Sequence, residues 1–105
     1  MDRQPVLCIT GNRQTGKTER LLRHAAEKWV YIVVPTPERA RWLAQKARTM
    51  ALDIPFPICY EEVRRGGFGV GVRWVAFDDV DELLSLLVGG VPVTAITVLT
   101  EEETQ

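Results

Sequence analysis

Five apolar runs punctuate the chain, at Val6–Thr10, Val30–Val34, Pro57–Tyr60, Val72–Phe77 and Val93–Leu99. They are rich in Val and Ile with little polar alternation, the pattern of strands buried on both faces of a parallel sheet. Between them the period changes to that of a helix. Thr18–Lys28 places Leu21, Leu22, Ala25 and Ala26 on one stripe, and Pro37–Ala51 does the same with Ala40, Leu43, Ala44 and Ala47. Pro37 suits a first helical turn, where its missing N–H costs nothing. A shorter segment, Asp79–Leu87, carries Val80, Leu83, Leu84 and Leu87 and stops at Gly89 and Gly90. Strand alternating with helix predicts an α/β fold of three layers, with right-handed crossovers and a mainly parallel central sheet of about five strands. The glycine-rich stretch Arg64–Gly71 reads as a flexible turn.

A chain of 105 residues suits one hydrophobic core. We therefore expect one domain over residues 1–100, followed by an acidic, disordered tail at 101–105. Hydrophobic residues make up 46% and charged residues 26%, which excludes a disordered composition. The formal net charge of −1 removes any bulk electrostatic case for nucleic acid or membrane. Cys8 and Cys59 are the only cysteines and have no metal-type spacing, the usage of a reduced, cytoplasmic protein. No stretch approaches the roughly 20 apolar residues of a membrane span, and the N-terminal apolar run is too short for a signal peptide. No membrane partner is expected.

The candidate chemistry begins at GNRQTGKT, which satisfies G-x-x-x-x-G-K-[ST] at every fixed position and lies between a predicted strand and a predicted helix. Such a loop turns backbone N–H groups around phosphates, and the helix N-terminus adds positive potential. Gly11, Asn12, Arg13, Gln14, Thr15, Gly16, Lys17 and Thr18 are thus the candidate nucleotide-binding residues. Lys17 is expected to reach the β- and γ-phosphates, and Thr18 to offer its hydroxyl to Mg²⁺. A phosphate site of this kind needs a strand-end acid for the same metal. VRWVAFDD supplies Asp78 for that role. Asp79 follows either as a helix cap ahead of VDELL or as the group that orients an attacking water.

Three segments together resemble the additional-strand catalytic-glutamate class of P-loop NTPases, in particular the ATPase domain of phage terminase large subunits and superfamily 2 helicases. They are NRQTGKTE, IVVPTPERARWLAQKA and WVAFDDVDEL. The resemblance implies a Mg²⁺-dependent ATPase, with ATP or another nucleoside triphosphate as ligand and a phage or mobile-element origin. It also implies that Val93–Thr100 is a strand inserted between the P-loop strand and the acidic strand. Arg13 becomes a candidate cis-acting arginine at the γ-phosphate, the alternative being a solvent-facing loop residue. Asp79 stands where the class carries glutamate, one methylene longer, so hydrolysis is expected to be slow or to need a protein partner or homo-oligomer.

Arg39, Arg41, Lys46 and Arg48 fall in the region that touches nucleic-acid backbone in those helicases; a solvated helix face accounts for them equally well. Two other functions compete: a nucleotide-occupied protein-interaction switch, and a nucleoside kinase of the thymidine kinase type, whose opening GKTERL resembles. That kinase family carries a zinc-binding cysteine cluster, which two separated cysteines do not supply. Trp29, Trp42 and Trp74 read as core or interface residues.

Overall fold

The structure is a computed structural model that describes residues 5–11, 16–66, 68 and 71–100. It is an α/β fold. In chain order the elements are helix α1 (Lys17–Lys28), strand β1 (Tyr31–Val34), helix α2 (Pro37–Thr49), strand β2 (Ile58–Cys59), helix α3 (Tyr60–Arg64), strand β3 (Val75–Phe77) and helix α4 (Val80–Leu87). The sheet is wholly parallel with order β2-β1-β3. Val33 and Val34 face Ile58 and Cys59 on one side of β1, and Tyr31, Ile32 and Val33 face Val75, Ala76 and Phe77 on the other.

β1 is central because its residues are the ones buried regardless of the face they point to. Ile32, Val33 and Val34 are all buried, as a strand covered above and below requires. On one face Ile32 and Val34 meet Leu21, Leu22 and Ala25 of α1 and Ala40, Leu43 and Ala47 of α2, with Ala76 of β3 packed at the margin. The small residues of both helices let their backbones approach the sheet. α2 starts where predicted: the Thr36 hydroxyl accepts a hydrogen bond from the Arg39 N–H at 3.2 Å, and Pro37 follows at the first helical position. α4 ends at the predicted glycines, Gly89 and Gly90, both at positive φ.

The parallel-sheet expectation is met in part, and several details differ. The described residues form a three-stranded sheet. The runs Val6–Thr10 and Val93–Leu99 contribute no strand to it; they meet each other through one parallel bridge, Val6 to Thr100, with the Val6 N–H donating to the Leu99 carbonyl at 2.8 Å. The acidic strand is also shorter than its apolar run, and it is not buried on both faces: Val75 and Phe77 are exposed. A strand is apolar for burial but forms only where a neighbour offers hydrogen bonds, and beyond β3 the described residues offer none. Tyr60, read as the end of a strand, instead opens α3, whose entry is closed by the Glu62 carboxylate and the Cys59 backbone N–H at 3.5 Å. Trp29, Trp42 and Trp74 are exposed and do not join the core.

Candidate functional site

Parallel strands deliver the residues that follow them to the same edge of the sheet. β1 runs into Pro35, Thr36 and the first turn of α2, and β3 runs into Asp78 and Asp79. The ladder continues one step past β3, the Asp78 N–H donating to the Val33 carbonyl at 3.1 Å. Arg39 and Asp78 thereby come together: Arg39 Nε donates to Asp78 Oδ2 at 2.7 Å. Asp78 is only 8% exposed, and this guanidinium satisfies a carboxylate that would be costly to bury alone. The same Nε lies 4.0 Å from Asp79 Oδ2, and the guanidinium stacks over the Trp42 ring, 4.4 Å from its centroid.

The residues of the phosphate-type loop divide. Asn12, Arg13, Gln14 and Thr15 lie outside the described residues, so the position of the candidate arginine Arg13 is not part of the geometry. Gly11 and Gly16 are described, and both have positive φ, 148° and 77°. At Gly16 an added Cβ would meet nothing within 4 Å, so the constraint there is the left-handed backbone rather than space. Gly16 stands at the N-cap of α1 and supplies no side-chain cap. Lys17 Nζ donates back to the Gly11 carbonyl at 2.7 Å, closing the octet on itself from its last turn to its first residue. Thr18 follows in the first turn of α1, half-buried.

Asp79 stands at the N-cap position of α4, yet its side chain makes no capping hydrogen bond. The capping alternative is thus not how the carboxylate is used. Its pKa is raised from the ordinary 3.8, first by partial desolvation and then by the neighbouring Asp78 charge and by Asp81; Arg39 and Lys17 oppose the rise. The linkage sign follows from the raised value. Asp79 holds its proton more tightly folded than unfolded, so its contribution to stability is fully present below 3.8 and is lost as pH rises through the higher folded value. Asp79→Asn removes this loss. Thermal unfolding between pH 3.5 and 7 is expected to show the variant gaining on the wild type as pH increases, on top of a pH-independent gain from asparagine's tolerance of the left-handed backbone. A difference flat in pH would exclude the carboxylate as the cause.

A hard cation prefers oxygen donors. The two residues expected to hold the metal, Thr18 and Asp78, offer a hydroxyl and a carboxylate, oxygen donors of the chemistry that suits Mg²⁺ rather than a softer metal. Among the described residues no group of three His, Cys, Asp or Glu side chains forms a ready-made metal cage. Asp78 is held by Arg39, so a metal there meets a cation already in place. An open pocket of about 190 Å³, lined by Ala44, Arg48, Asp53 and Phe56 among others, lies toward the far end of α2 and shares no residue with this cluster.

Sequence reasoning missed Arg39 as a member of the site, placing it with the basic outer face of α2. A signal existed: it lies in the first turn after a strand predicted to run parallel to the acidic one. No family model matches the chain, and neither a curated protein nor a solved structure matches it. Among the described residues no helix is long and apolar enough to cross a membrane.

Proposed function

We propose that the chain is a Mg²⁺-dependent nucleoside triphosphate-binding protein of the P-loop type, with ATP the expected nucleotide and hydrolysis slow or dependent on a partner. The observation that carries this reading is the octet Gly11–Thr18, which matches the phosphate-loop pattern at every fixed position and whose Gly16 turns left-handed directly into α1, with a nearly buried strand-end acid, Asp78, following β3. A phosphate-binding loop and a strand-end acid must share one place for phosphoryl chemistry, whose catalysis is mostly positioning and charge. In this reading Gly11–Thr18 cradle the phosphates, Thr18 and Asp78 hold Mg²⁺, and Arg13 faces the γ-phosphate. The first and fifth apolar runs would extend the sheet toward five strands. The exposed apolar residues of β3 and of the Val93–Leu99 run favour completion by a protein partner or a second copy, as the terminase and helicase resemblance implies; nucleic acid is a further candidate partner through α2.

The backbone at Asp79 gives a reason for aspartate where the resembling class has glutamate. Its φ of 56° and ψ of 58° are left-handed, a region that aspartate and asparagine enter more readily than other non-glycine residues. The shorter side chain keeps the turn at the cost of reach to a water. This favours the second reading too, a nucleotide-occupied interaction switch with little turnover. Titration calorimetry of ATP, GTP and ADP with and without Mg²⁺, followed by a turnover assay, tests the reading; absence of any nucleotide binding would overturn it. Asp79→Glu, assayed well below its unfolding midpoint, is expected to raise ATP turnover by about tenfold, or 1.4 kcal/mol of barrier, without tightening binding. A wild type that turns over briskly and a slower glutamate variant would instead make Asp79 a properly placed base.

A further inference from the structure

Arg39 has two carboxylates within reach and one aromatic face to lie on. Its Nε is 2.7 Å from Asp78 and 4.0 Å from Asp79, so a small pivot exchanges one partner for the other. Trp42, on the same helix, supports the flat of the guanidinium, and the backbone of Arg39 is fixed by the Thr36 cap. The side chain is therefore anchored at its base while its charged end sits between two acids.

We propose that Arg39 is the switch of the site: it holds Asp78 in the nucleotide-free protein, yields it when Mg²⁺-nucleotide binds, and moves onto Asp79. The inference rests on the nucleotide-binding reading above and adds a regulatory residue to it. The physical reason is competition between cations. A nearly buried carboxylate that keeps a guanidinium in contact serves a divalent ion less well, because the two positive charges repel at a few ångströms in a poorly screened place. The nearest negative group left to Arg39 is Asp79. The transfer has two consequences. Metal binding has to draw the resident cation away, which weakens it, and Asp79, which stands where the resembling class carries its water-orienting acid, becomes ion-paired in the loaded state, which holds turnover down.

The experiment uses the full chain with ¹⁵N-labelled arginine side chains, the Arg39 Nε–H resonance being assigned by its loss in Arg39→Gln. Saturating ATP with Mg²⁺ is expected to shift that resonance in the wild type, whereas ATP with EDTA leaves it in place. In calorimetry, Arg39→Gln is expected to increase the ratio of ATP affinity with Mg²⁺ to that without by about tenfold, while Arg39→Lys, which keeps the cation, stays near the wild type. The switch is overturned if the resonance is unmoved while Mg²⁺–ATP is bound, or if Arg39→Gln folds, loses thermal stability and keeps the wild-type ratio; the pair is then only a bridge between α2 and β3. Because the resonance is read in the wild type, a variant that fails to fold does not block the test. Failure of ATP to bind at all, with or without Mg²⁺, overturns the nucleotide reading and the switch together.

Discussion

Leu22→Ala is expected to lower the free energy of unfolding by about 2–5 kcal/mol. Leu22 is fully buried in the cluster through which α1 reaches Ile32 and Val34 of β1 and Ala40, Leu43 and Ala47 of α2. Truncating it removes both its transfer free energy and its contacts, and the rigid strand beneath cannot close the space. A domain of this size is held by roughly 5–15 kcal/mol in total, so the loss is a large share. Urea unfolding followed by far-ultraviolet dichroism measures it. Leu87→Ala serves as the control, since that side chain is mostly exposed on α4 and its removal is expected to cost well under 1 kcal/mol. Equal shifts in the two variants would mean that the α1–β1–α2 cluster is not the core of the fold. The prediction also bears on the site: Gly16 caps α1, Lys17 and Thr18 open it, and Leu22 is one of the three α1 residues, with Leu21 and Ala25, that pack the helix into the core.

α1, α2 and α4 were legible because each carries its own signal, an apolar stripe at helical spacing with a proline or glycine at an end. These are local facts that a short window of sequence contains. β1 was equally plain, since Ile32, Val33 and Val34 are apolar on both faces. The sheet as a whole was less so. Whether Val93–Leu99 pairs with β3 depends on a neighbour far along the chain, and apolar character does not specify that neighbour. The three tryptophans illustrate the same difficulty, because a large apolar side chain in an element reads as core until the packing shows which face it occupies. Asp78 and Asp79 were visible as a strand-end acidic pair, and Lys17 as the last turn of a loop pattern. That Asp79 adopts a left-handed backbone and leaves its cap position unused could not be read from DDVDELL, where capping looks natural.

The Arg39 contact lay further out of reach. Its partner is 39 positions away, and no spacing rule links them. Only the parallel register of β1 with β3 brings the first turn of α2 and the end of the acidic strand to one edge. Had the strand order been anticipated, a charged residue in the first turn after β1 would have been the natural candidate to face Asp78, since a nearly buried carboxylate requires a partner.

Lys17→Ala is expected to weaken Mg²⁺–ATP binding by at least about tenfold, or 1.4 kcal/mol, while leaving the fold almost as stable as before. The asymmetry comes from what Lys17 does in the free chain. Its ammonium donates to the Gly11 carbonyl at 2.7 Å, an exposed contact that water can replace, so its loss changes stability by only a few tenths of a kcal/mol. With a triphosphate in the loop the same ammonium would face the densest negative charge in the site, and no other described cation stands on that loop. Lys46→Ala is the matched control: it deletes a lysine whose only described ion pair is a half-exposed one with Glu19, 3.7 Å away, and nucleotide affinity is expected to stay within about twofold of the wild type. Binding is measured by calorimetry on both variants, with unfolding midpoints taken on the same samples so that lost affinity is not confused with lost fold. If Lys17→Ala binds Mg²⁺–ATP as tightly as the wild type, the glycine-rich octet is a structural turn ahead of α1 and the nucleotide lies elsewhere. If both lysine variants weaken binding equally, the affinity comes from general positive charge rather than from the loop.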